Sequence, residues 1–420
     1  MPCRSHPVMD FTFIHAADLH IDSPFAGLGL KDPAVAERFA KAGRRAVEAL
    51  IDETIASKAA FLIISGDVFD GDWKDATTGL FFARALGALH RAGVPTLLVK
   101  GNHDADSVMS RSLRYPDSVR SFASNKAETI CLDGFQVALH GRSFSARKVP
   151  DDFVDTYPAK REGWFNIGVL HTGLDGSRGH ETYAPCTVES LRRFGYDYWA
   201  LGHIHAFEIV SADPRIVYPG NLQGRSVRET GPKGAVRVRV EDGRIVDVAR
   251  LVLDGARWAH ESIDVTACGD EEEVLACLGA ELARVQRQAE GRPLAVRLTL
   301  TGMPPCHARL VARREALEDE ARALGYQIAE DCWVEQVKLA TTAPPRIMAA
   351  GTEPDALDLE ALLSEAARDP EFLVTLAELM SSIADKLPAG LRGELGAGDP
   401  AALARLAGLA ADHLAGALSS

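Results

Sequence analysis

Five times in its first half, this chain runs a short apolar stretch into a polar cluster of Asp, Asn and His. Phe11 to Ile14 leads into Asp18-Leu19-His20, and Phe61 to Ile64 into Gly66-Asp67-Val68-Phe69-Asp70. Thr96 to Val99 leads into Gly101-Asn102-His103-Asp104, Ile167 to Leu170 into His171, and Tyr198 to Leu201 into Gly202-His203-Ile204-His205. Short apolar runs bounded by turn formers read as buried strands. In layered α/β folds, polar sites gather beyond the carboxyl ends of strands. The pattern therefore predicts an α/β sandwich in which five clusters converge on one place.

The residue types say what that place holds. Asp18, Asp67, Asn102, His20, His171, His203 and His205 supply two carboxylates, an amide and four imidazoles as metal ligands, and His103 is left over for chemistry. Phosphodiesters hydrolyse by in-line attack of water. Two cations about 3.5–4 Å apart can generate the hydroxide, neutralise the developing charge and orient the phosphate. Such a pair needs a carboxylate between the ions, and Asp67 is the natural bridge because it follows a buried strand. Gly66 lets the chain turn sharply there. An imidazole-rich set suits Mn, Fe or Zn better than Mg, so two Mn²⁺ ions are expected, with other divalent transition metals as alternatives.

In this order the motifs resemble the calcineurin-like metallophosphoesterase superfamily. Within it they look closest to the DNA-repair exonuclease branch that contains SbcD. The stretches Ala17 to Phe25 and Tyr218 to Arg225 are similar to the YhaO-like subgroup. The resemblance implies one metal on Asp18, His20, Asp67 and His205, and a second on Asp67, Asn102, His171 and His203. It makes His103 the group that stabilises the transition state or protonates the leaving oxygen, with Asp104 orienting its ring. It also implies an SMC-like coiled-coil ATPase as partner, DNA as substrate, and a homodimer through helices of the catalytic domain. Protein phosphatases of the superfamily carry Arg-Gly where Gly71-Asp72 stands here, and Glu where Asp104 stands; both differences favour a nuclease. Leu19 and Asp22-Ser23-Pro24 depart from the usual SbcD pattern.

A net charge of −13 sits awkwardly with a DNA enzyme, since duplex binding draws on basic surface. Residues 351–420 carry 12 acidic and 4 basic side chains, hence −8, which leaves −5 for the other 350. Basic groups occur at Arg142, Arg147 and Lys148, and again at Arg225, Arg228, Lys233, Arg237 and Arg239. The segment Arg225 to Lys233 follows the His203/His205 motif and is a candidate for phosphate contact; Arg237 and Arg239 alternate with valines and fit a solvated strand face. The seven cysteines are scattered and lack Cys-x-x-Cys spacing, which fits reduced thiols. No apolar stretch approaches a membrane span, the first eight residues lack a signal core, and cytoplasmic residence is expected. No phosphate-binding Gly-x-x-x-x-Gly-Lys-[Ser/Thr] loop occurs, so ATP hydrolysis would fall to a partner.

The patterning predicts residues 1–255 as a metallophosphoesterase domain, two sheets flanked by helices, with Asp242-Gly243 turning a late hairpin. Residues 256–340 read as a small α+β capping domain, with helices over 270–289 and 307–324 and strands that include Tyr326 to Ala329. A linker over 341–353 precedes a helical segment, 354–420, with helices at 357–368, 370–386 and 400–418. That segment is either a small bundle or a docking element for the partner. His15 is either a support for a ligand carboxylate or a core histidine. His140 reads as structural. His6, His90, His180, His260, His307 and His413 read as surface. Asp70 is expected to hydrogen-bond a ligand His rather than bind metal. Two rivals to a DNA phosphodiesterase stand: a small-nucleotide phosphodiesterase or phosphatase on the same site, and a scaffold for the ATPase.

Overall fold

Successive strand residues face opposite sides, and β1 (Phe11–Ala16) uses that alternation to serve two cores. Phe11 and Phe13 enter a layer between two sheets, while Ile14 and Ala16 enter a layer under helices. The computed structural model describes residues 9–23, 33–70, 77–106, 114–146, 152, 154–176, 183–344, 362, 365–384, 386 and 399–418. His6, Arg147, Lys148, His180, the linker beyond residue 344, and most of the helix expected over 357–368 lie outside them. The chain divides into two units, Met1–Trp258 with Arg292–Leu294, and Ala259–Gly291 with Ala295–Ser420.

The first unit holds two six-stranded sheets. One runs β12 (Arg244–Val252), β11 (Gly234–Glu241), β1, β2 (Phe61–Ser65), β3 (Thr96–Val99), β4 (Val119–Ser121). The other runs β5 (Glu128–Leu132), β6 (Val137–Gly141), β7 (Phe165–His171), β8 (Tyr198–Gly202), β10 (Arg215–Tyr218), β9 (Glu208–Ala212). β1 to β4 pair in parallel, as do β6, β7, β8 and β10. The carboxyl ends of each parallel set therefore lie on one edge. Phe13 stacks on Phe61 at 5.1 Å and meets Tyr198 of the other sheet edge-on at 5.3 Å. Helices α1 (Pro33–Ala56) and α2 (Thr77–Arg91) cover the outer face of the first sheet; Val35, Phe39, Ala42, Ala46 and Leu50 form the buried stripe of α1. Asp242 and Gly243 both take positive φ, 49° and 69°, as a two-residue hairpin with matching twist requires. The short strands β4 and β5 carry no clear apolar signature in the sequence and are additions to it.

His15 resolves as a core histidine. It lies on the inter-sheet face of β1, fully buried, with Nδ1 3.0 Å from Tyr198 Oη and Nε2 3.2 Å from Leu201 O. Ser65 Oγ sits 3.1 Å from the same Nε2 and donates to Ala200 O, so both residues bind the two sheets just beneath the candidate site. Burial pushes the ring down from 6.5 to about 3. The unfolded chain takes up this proton below pH 6.5 and the folded chain does not, so stability falls as pH drops from about 6.5 toward about 3. The slope from this ring is about 1.4 kcal/mol per pH unit. In metal-free protein, urea midpoints measured between pH 8 and pH 5 should fall less steeply for His15→Gln; equal slopes would remove the linkage.

The second unit contains a three-stranded sheet in the order β13 (Arg257–Asp264), β14 (Leu294–Gly302), β15 (Cys332–Thr341). Helix α5 (Glu271–Gln288) starts at Asp270, whose carboxylate accepts from Glu273 N at 3.0 Å. The single helix expected over 307–324 is two, α6 (His307–Ala312) and α7 (Arg314–Ile328), parted at Arg313. Tyr326 to Ile328 are helical, not a strand, and Tyr326 packs on Trp333 at 5.9 Å. His307 is buried rather than on the surface, because its Nδ1 lies 2.9 Å from Thr341 Oγ1 at the end of β15. Helix Pro400–Leu418 packs against α6 with Leu403 and Ala407 buried. Six cysteines, 131, 186, 268, 277, 306 and 332, are free thiols. No helix among the described residues is long and apolar enough to cross a membrane.

Candidate metal centre

The sequence clusters converge, and the backbone is bent to make them do so. Asp18, His20, Asp67 and His203 take left-handed φ values of 51°, 42°, 51° and 99°. Each is a conformation that an L-residue adopts at a cost of about 1–2 kcal/mol. The cost is offset by a ladder that prolongs the β1–β2 pairing past the strand ends. Asp18 N donates to Gly66 O at 3.0 Å, His20 N to Asp67 O at 3.0 Å, and Ile21 N to Val68 O at 2.9 Å. His203 N closes the turn on Asp18 Oδ2 at 2.9 Å. Strain of this kind collects where a fold holds functional groups in place. Gly66 and Gly101 are needed for space: a Cβ at Gly66 would lie 2.4 Å from His171 Nδ1, and one at Gly101 2.2 Å from Asp67 Oδ1.

Three groups of possible ligands result, the third being His20, Asp70 and His103. Asp18, His20 and His205 bring one ligand atom each within 4.8 Å of one another, and so do Asp67, His171 and His203. Within the first, His20 Nε2 faces His205 Nε2 at 3.3 Å, and His205 Nε2 lies 3.9 Å from Asp18 Oδ1. Within the second, His171 Nε2 lies 3.3 Å from Asp67 Oδ2 and 3.0 Å from Asn102 Oδ1. Asp67 Oδ2 is also 4.0 Å from His20 Nε2, so one carboxylate oxygen addresses both groups. The tautomers agree with this arrangement. His171 Nδ1 donates to Ser65 O at 2.9 Å and His205 Nδ1 to Glu229 Oε1 at 2.7 Å, which leaves both Nε2 lone pairs aimed inward.

The electrostatics test whether cations fit. Burial opposes a charge on His171, yet the Asp67 carboxylate outweighs it and pushes the ring up to about 9. Burial lifts Asp67 as well, but His171, with His20 and His103, holds it well below the usual carboxylate range. The surrounding oxygens call for positive charge at the inward nitrogen of this fully buried imidazole. Divalent cations answer the same call, and the residues present fit two of them.

His103 stands beside this centre, about a third exposed, with its ring edge-on to His20 at 5.2 Å. Its orienting carboxylate is Asp70, not Asp104. Asp70 Oδ1 lies 2.9 Å from His103 Nδ1, and Ser23 Oγ donates to Asp70 Oδ2 at 2.7 Å. Asp104 turns inward and accepts from Val68 N, Phe69 N and Gly101 N at 3.0–3.2 Å, anchoring the turn that carries Asp67. Burial, then the charge of Asp67, raises Asp104 to about 6. The hydrogen bond that His103 donates to Asp70 raises the ring above 6.5 despite partial burial. His103, in turn, holds Asp70 far below its ordinary value.

The basic segment reaches the centre only in part. Arg225 reaches the centre: Nη1 is 3.6 Å from Asp70 Oδ2 and Nη2 is 3.1 Å from Glu229 Oε1. Arg228 is exposed. Lys233 is buried, and its Nζ donates to His205 O at 2.7 Å, so it props the ligand turn and is withdrawn from contact with substrate. Burial lowers its amine to about 8. Arg237 and Arg239 pair with Glu53 and Glu241 on the strand face, as their alternation implies. Glu229 is the functional residue that sequence reasoning passed over. Its only signal is an acid inside a basic run. His140 bridges Thr129 and Asn166 beneath the second sheet and is structural.

A fold of two mixed sheets with Asp, Asn and His ligands at the strand ends is that of a metallophosphoesterase, and the chain belongs to the calcineurin-like phosphoesterase family, whose profile matches residues 11–207. A second profile, the middle domain of metallophosphoesterase YhaO, matches residues 258–342. The uncharacterized metallophosphoesterase YhaO of Bacillus subtilis (strain 168) is 33% identical over 326 residues, spanning 77% of this chain and 79% of that protein. Among solved structures, a dimetal phosphatase from Danio rerio is similar over 58% of this chain and 99% of its own, at 13% identity and a TM-score of 0.34.

Proposed function

We propose that this phosphoesterase is a Mn²⁺-dependent DNA phosphodiesterase, an exonuclease on duplex ends with endonuclease action on single strands. Asp18, His20, Asp67 and His205 would hold one cation, and Asp67, Asn102, His171 and His203 the other. When bound, the two ions supply the attacking hydroxide and neutralise phosphoryl charge. The observation that carries the reading is His103, whose Nδ1 lies 2.9 Å from Asp70, a carboxylate that favours the protonated ring, beside both ligand groups. Expelling a sugar alkoxide requires a proton, and His103 is placed to give it. Arg225, a few ångströms from Asp70, would meet a phosphoryl oxygen. The preference for Mn²⁺ rests on the four imidazoles. An SMC-like ATPase as cytoplasmic partner belongs to the same reading. It is supported by helix Pro370–Ala384, which leaves Phe372, Val374, Leu379 and Ile383 exposed.

The burial of Lys233 thins the basic surface and favours a second reading, a small-nucleotide diester as substrate on the same centre. End-labelled duplex and single-stranded DNA, incubated with Mn²⁺ and full-length protein, separate the two. Nucleotide release from DNA is the expected result. Turnover of dinucleotide diesters with DNA left intact, with and without any ATPase that copurifies with the chain, would overturn the nuclease assignment.

A further inference from the structure

We propose that Glu229 is a positioning residue of the centre: together with Arg225 it fixes the tautomer of His205 and ties that ligand to the Asp70–His103 pair. The inference rests on the two-cation reading above.

An imidazole offers one nitrogen to a cation only when its other nitrogen carries the hydrogen. For His205 that hydrogen points at Glu229 Oε1, 2.7 Å away, while Nε2 faces His20 and Asp18. The carboxylate cannot swing away from this role. Its Oε2 accepts from Arg225 N at 2.8 Å and from Asn221 Nδ2 at 2.9 Å, and its Oε1 also receives Arg225 Nη2 at 3.1 Å. Four donors thus hold one side chain that is only 13% exposed. Asn221 is itself pinned, since Nδ2 also donates to Gln223 O at 2.8 Å.

The contact does not end at Glu229. Arg225 Nη1 continues to Asp70 Oδ2 at 3.6 Å, and Asp70 Oδ1 reaches His103 Nδ1 at 2.9 Å. A chain of alternating charge, Glu229, Arg225, Asp70, therefore runs from a metal ligand to the proton donor. Both histidines at its ends are oriented through Nδ1 by carboxylates that share one guanidinium. A carboxylate behind a ligating histidine raises the basicity of the ring, and losing it typically costs 10–100-fold in metal affinity. The plain structural alternative is that Glu229 merely closes the turn from Arg225. That role would not distinguish one cation site from the other.

The test is calorimetric titration of metal-free full-length protein with Mn²⁺, comparing wild type, Glu229→Gln and Glu229→Ala. Glu229→Gln keeps the volume and an acceptor for His205 but removes the charge. The expected result is an affinity loss of about 10–100-fold at one of two sites in Glu229→Ala and a smaller loss at the same site in Glu229→Gln. The other site should keep its wild-type affinity in both variants. Wild-type affinity at both sites in Glu229→Gln and Glu229→Ala overturns the proposal. So does an equal loss at both sites with a lowered metal-free melting temperature. If wild type itself takes up fewer than two ions, the two-cation reading has failed instead.

Discussion

Asp67→Asn is expected to leave a folded protein that no longer retains two Mn²⁺ ions and hydrolyses phosphodiesters roughly 10³-fold more slowly. The substitution keeps size and shape, and its Oδ1 can still accept from His103 N, which Asp67 binds at 3.0 Å. What disappears is the charge on Oδ2, the oxygen 3.3 Å from His171 Nε2 and 4.0 Å from His20 Nε2. That oxygen addresses both ligand groups and would hold the like-charged ions together. Losing one cation removes several kcal/mol of transition-state charge stabilisation, and about 1.4 kcal/mol is a factor of ten in rate. Three decades follow. Bound Mn²⁺ per chain, measured alongside turnover of bis(p-nitrophenyl) phosphate, checks both halves. Two ions retained with wild-type turnover would mean that Asp67 is not the bridge.

The ligands were legible because chemistry and topology coincide in them: each ends an apolar run, and parallel strands put those ends on one edge. The orientation of His103 was not legible, and the reason is helical geometry. Asn102–Asp106 is a helical turn, on which residues i and i+1 do not face each other. Asp104 therefore points at the Asp67 turn, and the partner of His103 comes instead from Asp70, 33 positions earlier in the chain. Glu229 has no period or motif to announce it, since Asn221 to Pro232 form irregular backbone whose order comes from side-chain hydrogen bonds. Lys233 reads as a surface cation until its burial against His205 O is seen. In the second unit, the β-prone Tyr326-Gln327-Ile328 stays helical because tertiary packing on Trp333 overrides local propensity. Patterns that depend on one element were readable; pairings between distant loops were not.

His103→Ala should separate proton donation from metal binding. With DNA, whose leaving group is a sugar alkoxide, the variant is expected to lose about 10²–10⁴-fold in kcat, the usual worth of a positioned general acid. With a p-nitrophenyl diester the loss should be far smaller, because p-nitrophenolate leaves as a stable anion and needs no proton. Both Mn²⁺ ions should remain bound, since His103 falls in neither of the two inner ligand groups; its ring lies against Asp70 and His20, and its contact with Asp67 is through the backbone N–H, which the variant keeps. Asp70→Asn should reproduce the same dependence on leaving group in weaker form. It keeps the ring and removes the carboxylate that favours its protonated state. A uniform loss across both substrates would assign His103 to binding the phosphoryl oxygens instead. Loss of one ion would make it a ligand in the third group it forms with His20 and Asp70. The contrast between leaving groups is thus the measurement that tells an acid from a clamp or a ligand at this position.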